Sequence, residues 1–250
     1  MCWSGEASAV LASVGFASTA YAVYKKEPFS LWVALGYFSL MEILQAYTYT
    51  VIDKCTLPGN QIATLLGYLH IAFQPFFINA VSLYFIPKNV ADRIHRPVYT
   101  LCFVCTIFLI IQLYPMQSVG TCEVGSVWLC AKNLCSVSGN WHIAWDIPLN
   151  GIGNWFHDHH MGYWFAYILP GFIVPVLYGS WRFTLYHFLL GPMLAMLLTN
   201  NLNEIPAVWC LLSIGLLLIV VKTPIRKILF VRSWPLWPKQ TSPSLQATKE

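Results

Sequence analysis

The sequence predicts an all-α fold: a polytopic transmembrane bundle of seven spans, with its amino terminus outside or lumenal and its carboxyl terminus cytoplasmic. Three observations predict it. Hydrophobic residues make up 57% of the 250 residues and charged residues 10%, with a mean hydropathy of +0.59, which leaves too little polar surface for a soluble globule. The apolar residues gather into seven windows of about 17 to 25 residues, the length a helix needs to cross the hydrocarbon core. Finally, 12 of the 14 lysines and arginines fall on one set of alternate loops and in the tail.

The first window, 5–24, has no basic segment before it and no small-residue cleavage pattern, so it reads as a retained span rather than a leader. Gly5, Ala9, Ser13 and Ala17 form a small-residue stripe along it that lets a neighbouring helix approach. Window 29–52 carries Glu42, with Gln45 and Tyr49 at same-face spacing, and window 61–86 carries His70, followed by Gln74 at i+4 and by Pro75. Window 98–114 follows a basic loop around Arg93, His95 and Arg96, and its Cys102 and Cys105 read as small core residues. A long loop, 115–160, leads to windows 161–179 and 183–199, where Pro170, Pro175 and Gly191-Pro192 predict kinks. The last window, 205–221, opens at Pro206 with Asn203 placed to cap it. Residues 1–232 thus form one domain, and the proline-rich stretch 233–250 is a cytoplasmic tail.

Sidedness follows from the cations. Lys25, Lys26, Lys88, Arg93, Arg96, Arg182 and the tail's six basic residues share one side with Glu27, Asp92 and Glu250, while only Lys54 and Lys132 lie on the other. The positive-inside rule places the first set in the cytoplasm. The basic excess is accounted for by topology and by anionic lipid headgroups, so the partner expected is the lipid bilayer and no nucleic acid.

The outer side concentrates the unusual chemistry. Disulfides are expected among Cys55, Cys122, Cys130 and Cys135, tying down a loop too long to be rigid by itself. The run WHIAWDIPLNGIGNWFHDHHMGYW holds His142, Asp146, His157, Asp158, His159 and His160. The spacing of His142 and Asp146 suits one side of a short helix. Imidazoles and carboxylates at this density are the ligand set for a transition metal, copper or zinc before iron. A simpler reading also stands, an interfacial loop anchored by Trp141, Trp145, Trp155 and Trp164 with its histidines exposed among them.

Within the membrane, spans 2 and 3 run antiparallel and place Glu42 and His70 at nearly equal depth. An ionisable residue there is costly unless partnered, so the two are candidate proton-handling residues, each the other's expected partner.

The stretches MCWSGEAS, HIAFQPFFINA, WHIAWDIPL and GPMLAMLLTNNLNEIPAVWCLLSIG together resemble an uncharacterised family of small seven-span membrane proteins. The resemblance implies the seven-span fold and no activity. A retinal protein needs a lysine inside the last span, where only Lys222 at its cytoplasmic end is available; membrane desaturases need about eight histidines in cytoplasmic boxes, against one HxHH on the other face. Three functions are therefore expected of the residues. The first is a metal-dependent membrane enzyme acting on a lipophilic small molecule near the outer face, with Glu42 and His70 moving protons. The second is a non-catalytic protein, namely a proton-coupled transporter, a sensor or an accessory subunit. The third is an acid-initiated isoprenoid cyclase using Glu42.

Overall fold

The computed structural model describes residues 3–125, 127–155 and 159–237, with the backbone alone at 154, 155 and 159–163. Five helices are long and apolar enough to cross a membrane: α1 (Gly5–Tyr24), α2 (Phe29–Val51), α3 (Pro58–Tyr84), α4 (Lys88–Ile111) and, late in the chain, α9 (Ile205–Lys222). Between α4 and α9 lie two interrupted rods. In the first, α5 (His159–Ile168) passes through a π-turn, Leu169–Ile173, into α6 (Val174–Leu177). In the second, α7 (Trp181–Phe188) passes through a π-turn, Leu189–Met193, into α8 (Leu194–Leu198). A short helix, α10 (Ile225–Leu229), follows α9.

The π-turns coincide with the prolines. Pro175 and Pro192 have no N–H to give to the preceding turn, and a π-bulge is one way for a helix to absorb that loss. The carbonyl this frees at Pro170 is satisfied from another helix, by Asn79 Nδ2 at 2.8 Å, and Tyr178 donates its hydroxyl to Asn79 Oδ1 at 3.0 Å. One asparagine thereby locks α3 to the kinked rod.

The bundle is apolar inside and out. Leu31, Leu35, Phe38 and Met41 of α2 are buried, while Leu40, Ile43, Tyr47, Ile62, Leu66, Phe103, Val104 and Ile107 face outward. An exposed belt of this kind suits lipid contact and would be a liability in water.

Three local expectations are corrected. The buried face of α1 is Ser8, Ala12, Gly15 and Ala22, not the predicted stripe, because Ala9, Ser13 and Ala17 are exposed. The neighbour that decides this is α2: a Cβ at Gly15 would collide with Ser39 Oγ. The basic segment around Arg93 and Arg96 is not a loop but the first turns of α4, which begins at Lys88 and carries Pro97 inside it; a hydropathy window misses polar helical turns that project beyond the apolar core. Residues 143–146 are not a short helix. They form β2 (Ile143–Asp146), paired antiparallel with β1 (Cys135–Ser138), with Cys135 opposite Asp146 and Ser138 opposite Ile143.

This hairpin is stapled to the bundle. Cys55 bonds to Cys135 and Cys122 to Cys130, within the expected set of four. Asn60 acts as a surrogate strand residue, since its Oδ1 accepts from Ser136 N at 2.9 Å while its Nδ2 donates to Ser136 O at 2.8 Å. At the opposite end the chain crosses back under the bundle. Val231 N donates to Phe85 O, and Trp234 and Trp237 donate their indole N–H groups to Leu177 O and Tyr178 O, the open end of α6. Gly179, at φ +101, lets the two indoles sit against the backbone.

The α1 packing face gives a direct test. Gly15→Val should lower the melting temperature of the detergent-solubilised protein by an overpacking cost of ~1–3 kcal/mol, whereas Ala9→Val should leave it unchanged, both read by thermal-shift size-exclusion chromatography.

Candidate functional site

The cap that the hairpin forms at one end of the bundle is organised by Glu204, the residue immediately before α9. Its side chain is buried and turns away from the helix it precedes, up into the hairpin loop 139–142. There it accepts from three consecutive backbone N–H groups, those of Asn140 (3.1 Å), Trp141 (2.6 Å) and His142, and from Thr199 Oγ1 at 2.5 Å. Gly139 makes room, since a Cβ there would lie 2.7 Å from Glu204 Cδ. Successive N–H groups of a tight turn form a concave anion cradle, and here the anion is supplied by the protein itself.

His142 continues the network inward. Its Nδ1 lies 2.6 Å from Tyr49 Oη and its Nε2 lies 2.7 Å from Gln45 Oε1. The amide oxygen can only accept, so Nε2 carries the proton and Nδ1 accepts from the tyrosine hydroxyl. Burial pushes the imidazole pKa down to about 3, consistent with a neutral ring whose two nitrogens are both occupied. Gln45 also reaches Ala207 O across the bundle, at 3.5 Å. The amino terminus closes over this site: Trp3 N donates to Trp141 O, the Trp3 and Trp141 rings stack at 5.8 Å, and Trp3 Nε1 donates to Ser8 Oγ at 2.8 Å.

One helical turn below Gln45 on the same face of α2 sits Glu42. It is fully buried, and neither carboxyl oxygen makes a hydrogen bond. The polar groups in its electrostatic surroundings include the Ser8 hydroxyl, Tyr49 and, from α9, the Cys210 thiol. Cys210 accepts from Gln74 Nε2 at 2.9 Å, and Gln74 Oε1 accepts from Tyr167 Oη at 2.5 Å. Polar side chains therefore extend from the cap to the middle of the bundle, with the unpartnered carboxyl among them.

His70 does not join them. Its ring stacks on Tyr37 at 3.9 Å, Tyr37 donates its hydroxyl to His70 O at 2.5 Å, and His70 Nε2 is buried without a partner. The expected Glu42–His70 hydrogen bond is not made: both residues keep orphaned polar atoms, with His70 set against Tyr37 and Phe38, about one turn along α2 from Glu42.

Of the six predicted metal ligands, the two with described side chains are engaged elsewhere. His142 is consumed by Tyr49 and Gln45, and Asp146 Oδ1 accepts from Asn203 Nδ2 at 2.8 Å. Burial raises the Asp146 pKa, opposed by that hydrogen bond. Asn203, expected to cap α9, spends its side chain on this contact. His157 and Asp158 lie outside the described residues, as do the side chains of His159 and His160. Among the described residues no three His, Cys, Asp or Glu side chains gather as a metal site would need.

Sequence reasoning misses Glu204 and, for Gln45, the histidine it meets. The partners of Glu204 are backbone groups some 60 residues away, which no spacing rule reveals.

The architecture and site define a helical protein with membrane-span-like helices and a disulfide-stapled cap at one end. The chain belongs to the family described as a family of unknown function, DUF5765, which it matches over residues 6–230. Comparison with characterised proteins and with solved structures gives no match.

Two measurements test the cap. Glu204→Ala strands three loop N–H donors and should destabilise the protein by ~3 kcal/mol or more, seen as a lowered melting temperature and faster reduction of the Cys55–Cys135 disulfide. For His142, whose native pKa lies below the ordinary 6.5, the unfolded chain binds the proton first. Its contribution is complete above pH 6.5 and is lost as pH falls toward about 3, with a limiting slope of ~1.4 kcal/mol per pH unit. The stability–pH curve of His142→Gln should be flatter than wild type by that amount.

Proposed function

We propose that this protein is a seven-span membrane protein, amino terminus outside or lumenal, in which Glu42 takes up and releases a proton exchanged with the outer side, as in a proton-coupled transporter or a pH sensor. The observation that carries this reading is the Glu42 carboxyl itself: fully buried, both oxygens unpartnered, one turn beneath a hydrogen-bonded chain that leads to the cap. A carboxyl in an apolar interior costs least as the neutral acid, and ionising it without a partner forces the surroundings to rearrange, so proton occupancy is coupled to conformation. Seven spans are supported by the two π-interrupted rods, which would add two crossings to the five long helices. The distribution of cations supports the orientation.

Reconstituted wild-type protein should show a protonated-carboxyl infrared band that titrates when the outer pH is stepped, and proteoliposomes should acidify internally under an inward proton gradient. Glu42→Gln should abolish both signals while keeping the wild-type elution profile. A pH-step spectrum identical in the two proteins would falsify the proposal, and a titrating band with no flux would select the sensor over the transporter.

A second reading, favoured by the run His157-Asp158-His159-His160, is a metal-dependent enzyme acting on a lipophilic molecule at the outer face, with copper or zinc held by that run without His142. Stoichiometric metal in the purified protein, lost in a His157, His159 and His160 triple alanine variant, is its expected signature.

A further inference from the structure

Two lysines from opposite ends of the sequence converge on one aromatic ring at the basic rim. Lys222, the last residue of α9, places Nζ 3.4 Å from the centre of the Tyr21 ring, and Lys25, which ends α1, places its own Nζ 5.6 Å from the same ring and 5.6 Å from that of Tyr24. Both ammonium groups are exposed. The acidic residue nearest in sequence, Glu27, is already paired with Arg226 at 2.5 Å, the single ion pair among the described residues. Two like charges drawn to one phenol ring, with the local carboxylate spent elsewhere, form a site complementary to an external anion.

Below the charges the surface turns apolar. Val10, Val14 and Tyr21 are exposed along α1, and Ile219, one turn before Lys222, is exposed on α9. The two helices touch deeper in the bundle, where a Cβ at Gly15 would lie 3.7 Å from Ile214 Cδ1. Cations at the rim over an apolar seam match a molecule with an anionic head and hydrocarbon tails.

We infer that Lys25 and Lys222, with Tyr21 between them, bind the phosphate of an anionic phospholipid whose acyl chains lie along the seam between α1 and α9. The inference rests on the membrane placement proposed above but not on proton handling by Glu42. Lysine suits this ligand because a compact ammonium reads phosphate as a point charge without demanding a fixed approach.

The test is native mass spectrometry of the full chain in detergent, titrated with phosphatidylglycerol or phosphatidylcholine. Wild type should retain phosphatidylglycerol preferentially, and Lys25→Gln with Lys222→Gln should cut that retention by about fivefold per lysine. Lys25→Arg with Lys222→Arg should keep it, as should Lys54→Gln on the other rim, and millimolar inorganic phosphate should not displace the lipid. Unchanged retention in the glutamine double variant would overturn the inference, as would equal loss in Lys54→Gln or displacement by inorganic phosphate, which would mark a site for free anions. A chain that stays monodisperse without detergent would overturn the membrane placement first.

Discussion

The cradle around Glu204 is the constraint on which the hairpin end of the molecule depends. A four-residue hairpin loop at the end of a helical bundle has backbone donors that neither strand can satisfy, and burying them unpaired is expensive. Aiming three of them at one carboxyl solves the problem for the loop and for the carboxyl together. Because the same carboxyl takes the Thr199 hydroxyl and stands at the start of α9, it joins three pieces at one point: the end of α8, the start of α9 and the hairpin. The disulfide at Cys135 and the Asn60 amide then fix the hairpin to α2 and α3. The cap is thus held from three places, the loop between α2 and α3, α3 itself and the residue before α9.

The contrast with Glu204 gives Glu42 its meaning. The chain buries two glutamates completely and treats them in opposite ways, with four donors converging on Glu204 and none bonded to Glu42. Burial alone therefore does not explain the second. A fold able to build the first environment leaves an acidic side chain bare in the second, and an apolar side chain of similar size would fill that space at lower cost. The neighbouring groups, Ser8 and Cys210, are weak partners that could not hold a charge without help.

The sequence made the long helices legible because hydropathy over some 20 residues is a one-dimensional signal, and Pro170, Pro175 and Pro192 marked the two rods that are broken. What it hid has a common cause: the missing features are contacts between distant segments. The α1 stripe was misplaced because small residues occur on two faces of that helix and only Ser39 on α2 shows which one is packed. The strand at 143–146 escaped because His142 and Asp146 have helical spacing, while the pairing with Cys135–Ser138 and the bond to Cys55 that override it are tertiary. His142 looked like a ligand because a histidine's role depends on what its two nitrogens meet, which here are Tyr49 and Gln45.

Those two contacts also fix the direction of the hydrogen-bond chain. Tyr49 gives its proton to Nδ1, Nε2 gives its proton to the Gln45 oxygen, and the Gln45 amide nitrogen is left to point at Ala207 O. Every link points the same way, from Tyr49 through His142 to α9, and no link can reverse alone: turning the Gln45 amide would set its NH2 against the Nε2 proton and its oxygen against Ala207 O. Ala207 O, an acceptor with no proton to give, fixes the chain in this one direction. The chain thus ties the turn of α2 directly above Glu42 to the loop that Glu204 holds in place.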